Sequence, residues 1–135
     1  MVKELWNYAV KAADIERAAA FYVSTMGATI MFRGEVYDCK YILIRLGNTR
    51  LIIFNKAPYE KDLQTDLPNG FLHAVYEVDD LEKVVHSLQH YGTKFIMSPR
   101  VLEGEFGTRR IAFVEAPDGT RVEVMQILED SGKAG

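Results

Sequence analysis

Residues Leu72–Val85 read LHAVYEVDDLEKVV, and residues Trp6–Ala19 read WNYAVKAADIERAA. The two stretches share one grammar. A polar residue, His73 or Asn7, stands seven places before an aspartate, Asp80 or Asp14. Each aspartate is followed by an apolar residue, a glutamate and a base: Leu81-Glu82-Lys83 and Ile15-Glu16-Arg17. Each segment then runs on to a glycine, Gly92 or Gly27. Further along, Asn48-Thr49-Arg50-Leu51-Ile52-Ile53 resembles Gly119-Thr120-Arg121-Val122-Glu123-Val124. The first pair is offset by 73 − 7 = 66 and the second by 123 − 52 = 71, so about five extra residues fall in the second half. Two copies at half the chain length indicate a pair of similar modules rather than a solenoid.

Each module reads as β-α-β-β-β. Leu5–Lys11 alternates like a strand. Asp14 is placed to cap a helix whose face is Ile15, Ala18, Ala19, Tyr22 and Met26, and Gly27 ends it. Strands are predicted over Thr29–Arg33, Tyr41–Leu46 and Arg50–Asn55, the last two joined by Gly47-Asn48. The second module has strands over Leu72–Val78, Lys94–Ser98, Arg109–Glu115 and Arg121–Ile127, with a helix bearing Leu81, Val84, Val85 and Leu88. Pro117-Asp118-Gly119 turns between its last two strands. Module one thus covers about residues 3–56 and module two about 71–128. The aperiodic segment 57–70, with Pro58, Pro68, Asn69 and Gly70, is the linker. The fold class is α+β, with a cupped mixed sheet and helices on its outer face.

Period-two alternation sorts the strand residues onto two faces. Trp6, Tyr8 and Val10, with Leu72, Ala74, Tyr76 and Val78, are expected beneath the helices, as are Val122 and Val124. The opposite face carries Asn7, Ala9 and Lys11, then His73, Val75 and Glu77, then Arg121, Glu123 and Met125. Polar side chains therefore gather where a curved sheet would enclose a pocket. Trp6, Tyr8, Phe21 and Tyr22 read as core.

The chain resembles the vicinal oxygen chelate superfamily, which includes glyoxalase I, bleomycin-resistance proteins, methylmalonyl-CoA epimerase, fosfomycin-resistance enzymes and extradiol dioxygenases. His73–Leu81 and Ile111–Val124 carry the resemblance most specifically, with Asp14, Phe21-Tyr22 and Gly27 in support. The resemblance implies paired βαβββ modules, commonly in a homodimer. It also implies a divalent ion (Zn, Ni, Fe, Mn or Mg) held in the cup by residues from the first and last strands of each module. The matching positions are Asn7, Ile52, His73 and Glu123. The repeat pairs the same four, Asn7 with His73 and Ile52 with Glu123. Ile52 cannot coordinate and an amide is a weak ligand, so the first half of the site is degenerate. His73, Glu123 and Asn7 are the expected metal residues. Asn7, Ile52, Arg121 and Met125 are the expected pocket, and Glu77 joins Glu123 as a candidate for proton transfer.

Three functions follow from the resemblance. The first is a glyoxalase-like lyase or isomerase acting on a small molecule with vicinal oxygens, where a metal would stabilise developing charge on oxygen. The second is a metal-free sequestering protein of the bleomycin-resistance type, favoured by Ile52 and Asn7. The third is an iron-dependent ring-cleaving dioxygenase, which lacks its expected histidine at Asn7. Plainer roles stand beside these. His73 can be a strand histidine facing a wet pocket, and Glu123 can be paired with Arg121 or Arg45. One of Arg109 and Arg110 faces the cup, as an anchor for an anionic group or as a solvated arginine. Residues 101–108, VLEGEFGT, suit either a mobile lid or a plain loop.

Other features exclude more than they assign. A net charge of −3 with no basic cluster points away from nucleic acid. No apolar run approaches a membrane span, and no N-terminal apolar segment suggests a signal peptide. The single Cys39 fits a reducing compartment and a cytoplasmic protein. It has no partner motif nearby and reads as inert. His86 and His90 lack the glutamate of a zinc-protease helix and lie opposite the apolar helix face. Asp79-Asp80 is explained by helix capping.

Overall fold

The computed structural model describes residues 1–133. The chain runs β1 (Val2–Lys11), α1 (Ile15–Met26), β2 (Thr29–Val36), β3 (Cys39–Leu46) and β4 (Thr49–Phe54), then a short α2 (Glu60–Leu63). It continues β5 (Gly70–Val78), α3 (Leu81–Tyr91), β6 (Lys94–Gly104), β7 (Gly107–Glu115) and β8 (Arg121–Asp130). The strands form one eight-stranded sheet in the order β2-β3-β4-β1-β5-β8-β7-β6. β1 and β5 pair antiparallel at its centre. Each also has a parallel neighbour from its own module, β4 for β1 and β8 for β5. The two βαβββ modules therefore stand side by side in one sheet. It curls until its two edges, β2 and β6, bring Cα atoms within 8 Å of each other.

The repeated capping works as the spacing predicts. Asp14 accepts the N–H of Arg17 at 3.0 Å, and Asp80 that of Lys83 at 3.3 Å. Gly27 and Gly92 close the helices in the left-handed conformation that glycine adopts most easily. Ala19 of α1 packs with Ile42, Ile44, Leu51 and Ile53, and Leu81 and Val84 of α3 pack with Val78, Ala112 and Val124. The third cluster is the inner surface of the curl. Apolar burial thus holds each helix to its own module, while the inner cluster joins the modules.

Alternation misplaces Trp6 and Leu72. Both belong to the inner cluster and not to the helix-covered face. The β1–β5 register passes from Leu5↔Tyr76 to Asn7↔Val75, and from Ala9↔His73 to Val10↔Phe71. Trp6 is therefore the extra residue of one bulge and Leu72 of another, and a bulge breaks the period of two. The bulges are repeat mates, since 72 − 6 = 66 as for His73 and Asn7.

Other boundaries differ too. Phe21 and Met26 are exposed (52% and 55%), because α1 buries a narrower stripe than its apolar content suggests. β6 continues through Pro99 to Gly104, which an edge strand with a register shift between Met97 and Arg100 permits. Residues 101–108 are consequently the end of the β6–β7 hairpin, paired up to Gly104↔Gly107, with only Glu105 and Phe106 in the turn. That turn is fastened to the chain end by the N–H of Ser131, which donates to the Phe106 carbonyl at 3.2 Å.

Candidate functional site

The curl lines a cleft whose empty space, open mouth included, is about 660 Å³. All four repeat-paired positions line it: Asn7, Ile52, His73 and Glu123. Asn7 on β1 and His73 on β5 reach it from the two central strands. Ile52 and Glu123 reach it from β4 and β8, the parallel neighbours of those strands. Met125 also lines the cavity. The four positions come from both modules of the chain.

The polar centre is compact. His73 is 1% exposed. Its Nε2 lies 3.3 Å from Oε1 of Glu123, and its Nδ1 lies 2.8 Å from the hydroxyl of Tyr59. The imidazole also meets Phe113 edge to face, with centroids 5.0 Å apart. The Nδ1 nitrogen is thus hydrogen-bonded, and Nε2 faces the carboxylate at ion-pair distance. If Nδ1 is bare, Tyr59 donates to it; if Nδ1 carries the proton, it donates to the Tyr59 hydroxyl and leaves the Nε2 lone pair facing Glu123. Burial pushes the Tyr59 hydroxyl up to about 12, so it stays protonated near neutrality and can serve either tautomer.

Tyr59 is the main contributor that sequence reasoning missed. It sits in the linker, where no periodicity marked a buried residue. The linker is clamped instead by Glu60. Its carboxylate takes the Lys11 ammonium at 3.0 Å, the Leu67 N–H at 3.1 Å and the Ala57 N–H. Lys11 also donates to the Leu67 carbonyl at 2.6 Å. Burial works to raise the pKa of Glu60, but these hydrogen bonds outweigh it and hold the carboxyl below its usual range. Two apolar positions in the linker, Ala57 and Tyr59, are buried in the inner cluster. Another contributor is Tyr37, which lines the cavity from the β2–β3 turn. Tyr37 and Asp38 both have positive φ, 51° and 61°. No glycine or asparagine marks that turn in the sequence.

The remaining expected residues fall elsewhere. Arg121 stands outside the cavity, where its Nε donates to the Leu72 carbonyl at 2.9 Å and its guanidinium carbon lies 6.0 Å from the Tyr59 ring. It supports Tyr59 from behind, and the carboxylate of Glu123 turns to His73. Glu77 is buried but does not line the cavity, and it pairs with Lys3 at 3.4 Å. Of the two adjacent arginines, Arg109 is the one that lines the cavity. It is buried, not solvated. His86 and His90 are exposed on α3. Cys39 is buried, and burial raises its thiol pKa, which suits an inert residue.

The sequence model of the Glyoxalase/Bleomycin resistance protein/Dioxygenase superfamily matches residues 7–124. The chain belongs to this superfamily. Among curated members of the glyoxalase superfamily, it is 26% identical to a probable lactoylglutathione lyase of Synechocystis over 87% of this chain and 90% of that protein. It is 25% identical to the lactoylglutathione lyase of Salmonella typhimurium, over 92% of both chains. A probable chloroplastic lactoylglutathione lyase of Arabidopsis thaliana is 27% identical over 92% of this chain, which spans only 36% of that longer protein. The fold matches a hypothetical protein of Bacillus halodurans with a TM-score of 0.77, at 18% identity over 95% of this chain and 96% of the other. Methylmalonyl-CoA epimerase of Mycobacterium tuberculosis matches with a TM-score of 0.73, at 18% identity over 95% and 90%. No helix among the described residues is long and apolar enough to cross a membrane.

The donor set can be weighed against a metal ion. Among the described residues no three His, Cys, Asp or Glu side chains come together. The site offers one imidazole, one carboxylate and the amide of Asn7. Two ligands of a common ion, each about 2.1 Å from it, stand about 3.0–3.4 Å apart. The 3.3 Å between Nε2 of His73 and Oε1 of Glu123 falls in that range. The pair fits a divalent ion held with open positions, more weakly than four strong ligands would hold it.

Proposed function

We propose that this protein is a glyoxalase-type enzyme, a lyase or isomerase acting on a small substrate with vicinal oxygens. The observation that carries this reading is the buried His73–Glu123 pair, with Nε2 and Oε1 3.3 Å apart in a largely apolar cavity. The relatives named lactoylglutathione lyase support the reaction type.

His73 and Glu123 are the residues that would hold a divalent ion, with Asn7 as a weak third donor or a hydrogen-bond donor to substrate. Such an ion, when bound, supplies Lewis-acid stabilisation of negative charge developing on a substrate oxygen. The chain's own contributions are separable from it. Tyr59 orients the imidazole, and its hydroxyl accepts the Nδ1 proton when Nε2 must be bare. The carboxylate of Glu123 would take or return a substrate proton. The apolar walls around Ile52, Val75 and Phe113 exclude water and so strengthen the electrostatic interactions inside.

A second reading has specific support. The cavity wall is mostly apolar, and Ile52 stands where a fourth ligand would be needed, so the same cup suits a metal-free sequestering protein. The ring-cleaving dioxygenase reading fares worse, since an iron centre of that kind needs two imidazoles and one carboxylate and the site contains a single histidine. Pairing with a second copy, as the resemblance implies, belongs to the same proposal and is supported by the exposed apolar residues Phe21, Val23 and Met26 on α1. Sedimentation would then report twice 15.3 kDa.

Metal analysis of protein purified without chelator tests the first reading. It expects one divalent ion per chain, lost in His73→Ala. An ion-free protein that binds organic ligands tightly would support sequestration instead.

A further inference from the structure

Arg109 is the largest side chain that the fold buries completely, at 1% exposure. Its guanidinium carbon lies 5.8 Å from the centroid of the Trp6 ring and 5.3 Å from that of Phe106. Both rings line the cavity, so the charged end of Arg109 sits at the cavity wall. Nη1 donates to the Glu129 carbonyl at 3.1 Å and to the Thr108 carbonyl at 3.5 Å. Nη2 has no hydrogen-bond acceptor. The nearest carboxylate oxygen, Oδ1 of Asp130, is 3.7 Å away on a side chain 42% exposed, and it already accepts the N–H of Gly132 at 3.0 Å. A buried guanidinium with an idle donor is costly unless a partner arrives.

The sheet register sets the distance from this cation to the polar centre. Arg109 pairs with Ile127, and Phe113 pairs with Glu123. Four strand residues separate the two pairs, about 13 Å at the usual rise. Between them the inner face carries Ile111 and Met125, which pair with each other. The cavity therefore has a cation at one end, His73 and Glu123 at the other, and an apolar floor between.

We propose that this cavity takes a ligand with an apolar body, roughly 10 Å long, whose terminal carboxylate seats on Arg109. The proposal rests on the reading of the cavity as the ligand site and narrows its substrate class. A carboxylate matches the planar fork of a guanidinium and would give Nη2 its missing acceptor. Burial and the neighbouring Arg50 disfavour the charge on Arg109, while Asp130 and Glu77 favour it, and a ligand carboxylate would add to the favourable side. A peptide-like body would place amide groups on Ile111 and Met125 with nothing to satisfy them, so the body must be apolar.

Trp6 is the sole tryptophan and lines the cavity beside Arg109, so its emission reports occupancy. The probes are 4-cyclohexylbutanoate and its neutral isostere 4-cyclohexylbutanamide, neither of which absorbs where tryptophan does. The acid is expected to bind the wild-type protein at least tenfold more tightly than the amide. Arg109→Met should weaken the acid until the two agree within about twofold, while the amide keeps its affinity. Equal binding of acid and amide by the wild type overturns the proposal without any variant, as does a preference that survives Arg109→Met. If neither probe alters Trp6 emission or releases heat in calorimetry, this inference falls, while the proposed function still stands or falls on the metal analysis. Should Arg109→Met fail to fold, Arg109→Gln replaces it and is read the same way.

Discussion

The hydroxyl of Tyr59 lies 2.8 Å from Nδ1 of His73, joining a linker residue to the central strand of the second module. This bond orients the imidazole whichever nitrogen carries the proton. Removing the hydroxyl alone, in Tyr59→Phe, leaves the ring packed on Phe113 and strands Nδ1 in a buried site. A stability loss of about 1–3 kcal/mol is expected from the unsatisfied nitrogen. Divalent-ion affinity should fall about tenfold or more, as when other outer partners of a ligating histidine are lost. Denaturant titration and metal competition measure the two effects separately. An unchanged ion affinity would show that Tyr59 does not orient a ligand.

Glu60 makes stability depend on acidity. Its folded-state pKa lies below the ordinary value, so the unfolded chain takes up its proton first as pH falls. Its contribution is present above the unfolded carboxylate range near pH 4 and disappears as pH falls through the folded value. Glu60→Gln should cost about 1–3 kcal/mol at neutral pH, because Lys11 and the N–H groups of Ala57 and Leu67 lose a charged acceptor. The difference between wild type and variant should shrink as pH falls from 6 to 3. A constant difference across that range would mean the carboxylate's charge is not what holds the linker.

The repeated grammar of Asn7–Asp14 and His73–Asp80 made the paired modules legible, because helix caps and strand periods are local properties. The four cavity-lining positions were legible for the same reason, since duplication maps each onto its mate. Trp6 and Leu72 were misplaced because a bulge depends on how two strands register, which neither strand shows alone. Tyr59 was invisible because the buried charge of Glu60 ties the linker down, and a lone glutamate in an aperiodic segment gives no sign of that. The burial of Arg109 follows from curling of the whole sheet, which brings Trp6 of one module against the β6–β7 hairpin of the other.

Gly107 shows where that hairpin has no freedom. Its φ is +109°, and an added Cβ would collide with the backbone oxygen of Glu129. Gly107→Ala forces both a disfavoured backbone conformation and a displacement of the end of β8. The conformation alone costs about 1–3 kcal/mol, and the collision adds to it. By contrast, Gly47→Ala meets open space and carries only the strain of its own positive φ. Thermal unfolding of the two variants should show the larger fall for Gly107→Ala. Equal falls would mean that the end of β8 yields freely.

Asn7 and Ile52 provide the sharpest test of the metal reading. Both line the cavity with His73 and Glu123, and both occupy positions that the repeat pairs with those ligands. Asn7→His supplies a second imidazole and Ile52→Glu a second carboxylate, completing a set with two of each. If the four side chains converge on one point, the double variant should bind zinc or nickel at least a hundredfold more tightly than the wild type, since a full set of strong ligands defines a tight site. Each single variant should gain less, because the new ligand replaces water at only one open position. Calorimetry with the metal alone reads this directly. A double variant that folds normally but binds no better would show that the walls cannot bring four ligands to one ion, leaving the metal-free reading of the cup as the stronger one.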